Sequence, residues 1–180
     1  MSPPTSPDVD PEFPGQALTG KASALAGRLK ALGLTVSTAE SLTGGLVSAA
    51  LTSVPGSSAY FLAGINAYSN HSKYRILEVP WVVLNTAGAV SPECARAMAS
   101  GVARLTGSDL GLSTTGIAGP EGGSAVKPVG LVYFSVCGGG RQETRREIFA
   151  GSRHRVVYQA VETALDLLSR FLEDKYPALC

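Results

Sequence analysis

Three observations place this chain among α/β domains, as one three-layer α/β/α unit on a mixed sheet. Apolar, β-prone runs alternate with segments whose apolar residues recur at helical spacing. The last two strand-like runs, Val129–Cys137 and Glu143–Phe149, flank Gly138-Gly139-Gly140, which reads as a hairpin and makes part of the sheet antiparallel. The length of 180 residues and the composition, 44% apolar and 16% charged with 21 glycines, suit one core with many tight turns.

The elements follow in order. Ser2 to Gly15 carries five prolines with Asp and Glu, so residues 1–15 are expected to be a disordered lead and 16–176 the folded domain. Leu18, Ala22, Leu25, Leu29 and Leu32 recur at spacings of four and three, an amphipathic helix that Gly33 ends. Leu34–Ala39 reads as a strand, and about Thr43 to Thr52 as a helix. Pro55-Gly56-Ser57-Ser58 is a turn, Phe61–Tyr68 a strand, and Lys73–Leu77 a short helix. Ser91-Pro92-Glu93 is a helix start, with an N-cap Ser, Pro in the first helical position and an acid in the first turn. Its expected core face is Cys94/Ala95, Met98, Val102 and Leu105. Leu110–Thr115 is a strand, and Arg153 to about Glu173 a long helix buried through Val156/Val157, Ala160/Val161, Ala164/Leu165, Leu168 and Leu172.

Several function classes fall away. A net charge of +1 without a basic stripe argues against direct nucleic-acid binding. Cys94, Cys137 and Cys180 are widely separated, with no CxxC or Cys/His ligand spacing, so neither a zinc site nor a disulfide framework is expected. No apolar run is long enough for a membrane span, and the N-terminus lacks signal-peptide order. These features lead to the expectation of a cytoplasmic protein. There is no G-x-S-x-G elbow, Walker A loop or G-x-G-x-x-G. His71 and His154 sit in polar surroundings without an acid partner, which argues against a Ser-His-Asp hydrolase.

The chemistry-bearing residues lie next to turns. Thr38-Ala39-Glu40-Ser41-Leu42-Thr43-Gly44-Gly45 sits where a strand hands over to a helix. Free N–H groups and the helix dipole favour an anion or oxyanion there, with Ser41 or Thr43 at its rim and Gly44 and Gly45 in the turn. The alternatives are a plain Ser/Thr helix cap, or Glu40 bonding the turn's own N–H groups. Ser57 and Ser58 follow Gly56; Tyr68 ends a strand, and Lys73 lies one turn on. A Ser hydroxyl needs a neighbour to take its proton, which a Lys of lowered pKa does in Ser–Lys variants of the triad, with a Tyr able to relay. Against this stand a solvated Lys73 on a surface helix and a Tyr68 that packs on the core. The loop Thr115–Ser124, with Gly116 and Gly119, offers many unhindered N–H groups for a phosphate or carboxylate, or is a flexible connector. Arg153 starts the last helix and can clamp a phosphate bidentately, or is one charge among Arg145, Arg146 and Arg155.

Taken together, TAESLTGG, PGSSAYF, YSNHSK, GAVSPE, TTGIAGPEGGSAVKPVGLVYF and GSR closely resemble the CinA C-terminal domain family, from about Leu18 to Leu172. The resemblance implies hydrolysis of the carboxamide of nicotinamide mononucleotide (NMN) to nicotinate mononucleotide and ammonia, in pyridine-nucleotide salvage and without metal or cofactor. It carries functional positions onto Ser41, Ser58, Tyr68, Lys73, Thr115 and Arg153. Many relatives carry a larger molybdopterin-binding-like, nucleotide-pyrophosphatase domain ahead of this one; these 180 residues do not, so the likeness is to the stand-alone amidases. Relatives usually read ESCTGG, whereas this chain has Leu42 in place of the Cys, a change that a hydroxyl nucleophile tolerates.

The expected mechanism is acyl transfer. The grouping Ser58–Tyr68–Lys73 makes Ser58 the nucleophile, with Lys73 as base and Tyr68 aiding proton transfer to the leaving ammonia. Ser41 and Thr43 line the amide or phosphate site; the reverse assignment, with Ser41 attacking, fits the sequence too. Turn N–H groups hold the oxyanion, and Arg153 with the glycine loop holds the 5′-phosphate. The alternative is a non-catalytic nucleotide- or partner-binding module linked to competence or DNA damage. The resemblance also implies a homodimer or higher homo-oligomer; the apolar first helix and Tyr60/Phe61, read as exposed, are candidate contact surfaces, though ordinary core packing explains them as well.

Overall fold

The computed structural model describes residues 15–176. The Pro-rich lead up to residue 14 and Cys180 lie outside the described residues, whereas Gly15 already opens the first helix. The order is α1 (Gly15–Leu32), β1 (Val36–Glu40), α2 (Leu46–Thr52), a one-turn 3₁₀ helix (Ser57–Ala59), β2 (Phe61–Asn66) and α3 (Asn70–Leu77). It continues with α4 (Trp81–Thr86), α5 (Pro92–Thr106), β3 (Leu110–Gly116), β4 (Leu131–Gly138), β5 (Arg141–Ile148) and α6 (Arg153–Lys175).

The five strands form one sheet in the order β2-β1-β3-β4-β5. β1 runs parallel to both β2 and β3, while β3, β4 and β5 are antiparallel in turn. The sheet is therefore mixed, and the β4–β5 hairpin turns on Gly139 and Gly140 at φ +51° and +79°. Such a two-residue turn needs left-handed backbone at both positions.

Alternation along the strands gives the sheet two buried faces. Val36, Leu110, Leu112, Val132, Phe134 and Val136 pack with α1, α2 and α6 in one core. On the other face Ala39 and Ala67 pack with Leu77, Leu84, Cys94, Met98 and Val102 of α3, α4 and α5. That layer lies very close: a Cβ on Gly111 would come within 2.0 Å of the Ala99 carbonyl.

Several expectations are corrected. α2 starts at Leu46 rather than near Thr43, because Gly44 and Gly45 hold φ of +60° and +100°, which no helix continues. β2 ends at Asn66, and α3 begins at Asn70 on a Ser69 cap. The short α4 has no counterpart in the sequence reading. Leu105, placed on the core face of α5, is 53% exposed, three residues past Val102, the last buried residue of that helix. Tyr60, read as an exposed contact residue, is fully buried and donates its hydroxyl to the Leu51 carbonyl. No described helix is long and apolar enough to cross a membrane.

The chain leaves β1 for β2 on one side of it and later returns to β3 on the other. The carboxyl end of β1 is therefore a topological switch point, where open α/β sheets hold their ligands. Ser41 is the first residue beyond it.

Candidate functional site

Ser41 is pinned by its own backbone. Its N–H donates to the Thr114 carbonyl at the end of β3, and its carbonyl accepts from Gly44 in the turn that follows. Leu42 points the other way, packing in the core beneath α1, α2 and α6. Position 42 is thus a packing position for the leucine side chain in this chain.

Lys73 comes from α3. The Ser69–Ser72 capping box sets the start of that helix, and the Lys73 N–H closes its first turn on the Ser69 carbonyl. The side chain runs inward and is 1% exposed, which overturns the reading of a solvated lysine on a surface helix. Its Nζ lies 3.0 Å from Ser41 Oγ, 2.7 Å from the Ala67 carbonyl and 3.1 Å from the Tyr68 carbonyl. No carboxylate pairs with it among the described residues. Burial pushes the ammonium below the ordinary lysine range, against a smaller opposing effect from Cys94.

Those three neighbours suit both protonation states. A neutral amine has two N–H groups and one lone pair: it donates to the two carbonyls and accepts the Ser41 hydroxyl proton. The ammonium has three donors for the same three oxygens. The arrangement can therefore hold and return a proton without moving a heavy atom.

Most of the N–H groups of the turn and of the first turn of α2 are not open to an outside anion as the sequence suggested. Glu40, 1% exposed, takes them. Its carboxylate accepts from the Gly45, Val47 and Ser48 amides and from the Ser48, Thr43 and Thr38 hydroxyls. Thr43 is committed as well, because its hydroxyl donates to Glu40 and meets Thr114 Oγ1 at 2.7 Å. Left over are the Leu42 and Thr43 amides, for which no described residue is an acceptor.

The other sequence-derived residues divide. Tyr68 is brought in twice: its carbonyl meets Lys73, and its phenol, on a side chain of a residue 66% exposed, accepts from Arg153 at 3.4 Å. The same Arg153 donates to the Gly119 carbonyl at 3.0 Å, so it ties the glycine loop to Tyr68. Thr115 stands at this end of the sheet but faces α5, where its hydroxyl donates to the Ala89 carbonyl. Gly116 serves packing, since a Cβ there would sit 2.6 Å from the Leu131 carbonyl.

Ser58 is not brought to Lys73. It lies exposed in the 3₁₀ turn ahead of β2, whereas Lys73 meets the carbonyls that follow β2. β1 and β2 are parallel, so Ser58 and Ser41 occupy opposite ends of the sheet, separated by about 20 Å of strand. Sequence reasoning missed Thr38, Ser48 and Thr114 as partners in the Glu40 network. It also missed Lys127, whose Nζ donates to the Ala87 carbonyl and straps the glycine loop to the segment before α5. For Thr114 the signal was period-two alternation, which sets it on the opposite face from Thr115. Among the described residues no group of three His, Cys, Asp or Glu side chains is placed to hold a metal ion.

Residues 19–172 match the family model of the CinA C-terminal domain. A CinA-like protein of Citrifermentans bemidjiense is 51% identical over 144 residues, 80% of this chain but 35% of that protein. The chain thus spans about a third of the length of the curated relatives it matches. Solved structures are matched nearly whole. Competence damage-inducible protein A of Klebsiella pneumoniae superimposes with a TM-score of 0.85 at 37% identity, covering 88% of this chain and 98% of that one. The competence/damage inducible protein CihA of Agrobacterium tumefaciens gives 0.85 at 39% identity, with 88% and 97% covered.

Proposed function

The chain belongs to the CinA C-terminal domain family, and from that premise we propose that it is an amidohydrolase that converts NMN to nicotinate mononucleotide and ammonia. One observation carries the chemistry: the Nζ of Lys73, a residue 1% exposed, lies 3.0 Å from Ser41 Oγ. A buried amine of lowered proton affinity beside a serine hydroxyl is a general base next to its nucleophile.

Ser41 Oγ attacks the carboxamide carbon while its proton passes to Lys73. The oxygen of the tetrahedral intermediate takes negative charge, for which the Leu42 and Thr43 amides, left without an acceptor among the described residues, are the candidate donors. The amide that follows the nucleophile has this role in other serine hydrolases, and one such donor contributes about 10²–10³ in rate. Collapse breaks the C–N bond, and Lys73 returns its proton to the departing nitrogen as ammonia. Water then adds to the acyl-Ser41 ester and gives a proton to Lys73; the C–O bond to Ser41 breaks, Lys73 returns that proton to Ser41 Oγ, and the acid leaves as its carboxylate after losing its remaining proton to solvent. Arg153, held on Gly119 and Tyr68 at the mouth of the site, is the group for the 5′-phosphate. Ser41, rather than Ser58, is the nucleophile in this reading because Lys73 reaches only the carboxyl end of β1 and β2.

Incubating purified protein with NMN tests it. Ammonia and nicotinate mononucleotide should form in equal amounts, and Ser41→Ala should abolish both. A folded protein that binds NMN and releases no ammonia would instead be a non-catalytic nucleotide-binding module.

A further inference from the structure

Glu40 precedes Ser41 and is buried, yet among the described residues no cation pairs with it. Its charge is met by N–H and O–H dipoles alone. Oε1 accepts from the Ser48 amide at 2.8 Å and the Ser48 hydroxyl at 2.6 Å, with Thr38 Oγ1 at 3.4 Å. Oε2 accepts from the Thr43 hydroxyl at 2.7 Å and from the Gly45 and Val47 amides at 3.0 and 3.1 Å. Each oxygen therefore faces at least one backbone amide, which can only donate. A carboxylate accepts on both oxygens; an amide side chain would turn an NH₂ group against one of those N–H groups.

These partners bracket Ser41. They fix the first turn of α2 and, through Thr43 and Thr114, fasten the turn to the end of β3, whose Thr114 carbonyl also holds the Ser41 amide. The carboxylate also satisfies amides of the first turn of α2 from which no backbone carbonyl accepts.

We propose that Glu40 is a positioning residue for the reaction: an internal carboxylate that accepts from the first amides of α2 and holds the Ser41 turn against Lys73. This rests on Ser41 being the nucleophile. Glu40 itself touches no reacting atom. Removing it loosens the Ser41–Lys73 approach, and a displacement of about 1 Å at a reacting centre costs on the order of 10²-fold in rate.

The test uses the full chain with Glu40→Gln and, as a gentler probe on the far side of the network, Ser48→Ala. Each variant is assayed well below its own Tm. Two quantities are read: kcat and KM on NMN, and the rate at which a small sulfonyl fluoride labels Ser41. Glu40→Gln should lower kcat and the labelling rate in parallel by about 100-fold with KM within about threefold. Ser48→Ala should lower both by several-fold. Folded variants with wild-type kcat and labelling rate would make Glu40 a purely structural cap and overturn the proposal; should Glu40→Gln not fold, an unchanged Ser48→Ala overturns it alone. Labelling needs no NMN, so it separates the two readings. A wild type that labels at Ser41 but leaves NMN intact refutes the substrate and still reads Glu40. A wild type that labels no faster than Lys73→Ala refutes the nucleophile, and this proposal with it.

Discussion

Lys73 donates to the backbone carbonyl of Tyr68 at 3.1 Å, while the phenol of that same Tyr68 accepts from Arg153 at 3.4 Å. One residue thus contacts Lys73 with its main chain and Arg153 with its side chain. Tyr68→Phe keeps the first contact and removes the second. The pH at which the base titrates should stay unchanged while kcat/KM falls about tenfold, the value of one hydrogen bond. A fall in kcat beyond 100-fold together with a shifted pH profile would assign the phenol to proton transfer.

In the proposed reaction Lys73 must be neutral to act as base, and burial lowers its proton affinity. The rate should rise with pH and reach its plateau below pH 10.5, the ordinary lysine value. A pH series of kcat/KM checks this; a limb at or above that value would oppose Lys73 as base.

Cys94 predicts an opposite trend in stability. Burial pushes its thiol up from 9.0 to about 11, so between those values the folded protein keeps a proton that the unfolded chain has lost. Stability therefore falls as pH rises through this window, by about 2–3 kcal/mol at its upper end. Lys73 works the other way: the unfolded chain binds the extra proton from the lowered folded value up to 10.5, so its contribution rises with pH. Urea unfolding of the wild type and of Cys94→Ala at pH 8, 9, 10 and 11 should show the gap between them closing by that amount. A constant gap would refute the thiol's part.

Lys73→Met keeps the volume and removes the base. Turnover should drop about 10²–10⁴-fold, with a stability change within about 2 kcal/mol, since the lost hydrogen bonds are offset by relief of the buried charge. Ser41→Ala should be inactive, whereas Ser58→Ala, exposed and at the other end of the sheet, should keep kcat within about twofold. Inactive Ser58→Ala with active Ser41→Ala would reverse the assignment of the nucleophile.

Arg153→Ala should raise KM for NMN by about 10–100-fold, the range of a hydrogen bond to a charged group. It should leave hydrolysis of the unphosphorylated riboside nearly unchanged. Equal losses on both substrates would show that Arg153 shapes the site through Tyr68 and Gly119 and does not bind phosphate.

The chain's periodicities made much of the architecture legible. Leu18, Ala22, Leu25 and Leu29 are all buried on α1, and Ser91 caps α5 as its Ser-Pro-Glu start requires. The short α4 was not legible: its six residues are too few for a 3.6-residue period to emerge. Part of the nucleophile question was legible and went unused. If β1, α2 and β2 form a parallel crossover, residues after β1 and before β2 must lie at opposite ends of the sheet, which separates Ser41 from Ser58. Glu40 was visible as a candidate partner for the turn's amides, yet its link to Thr114, 74 positions along from Glu40, needs β1 and β3 side by side in register.

By itself the sequence determined the local matters: which of the longer segments are helices and strands, where glycine allows the chain to turn, and which Ser, Lys, Tyr and Arg residues stand beside those turns. These follow from short-range sterics and from the spacing of apolar side chains. Only the tertiary structure decided which serine meets the lysine, that Lys73 is buried and not solvated, and that Glu40 already occupies the helix N-terminus. Strand order, helix rotation and burial set these distances and the polarity around each charge. They arise from contacts between segments tens of residues apart, for which a single sequence has no local signature.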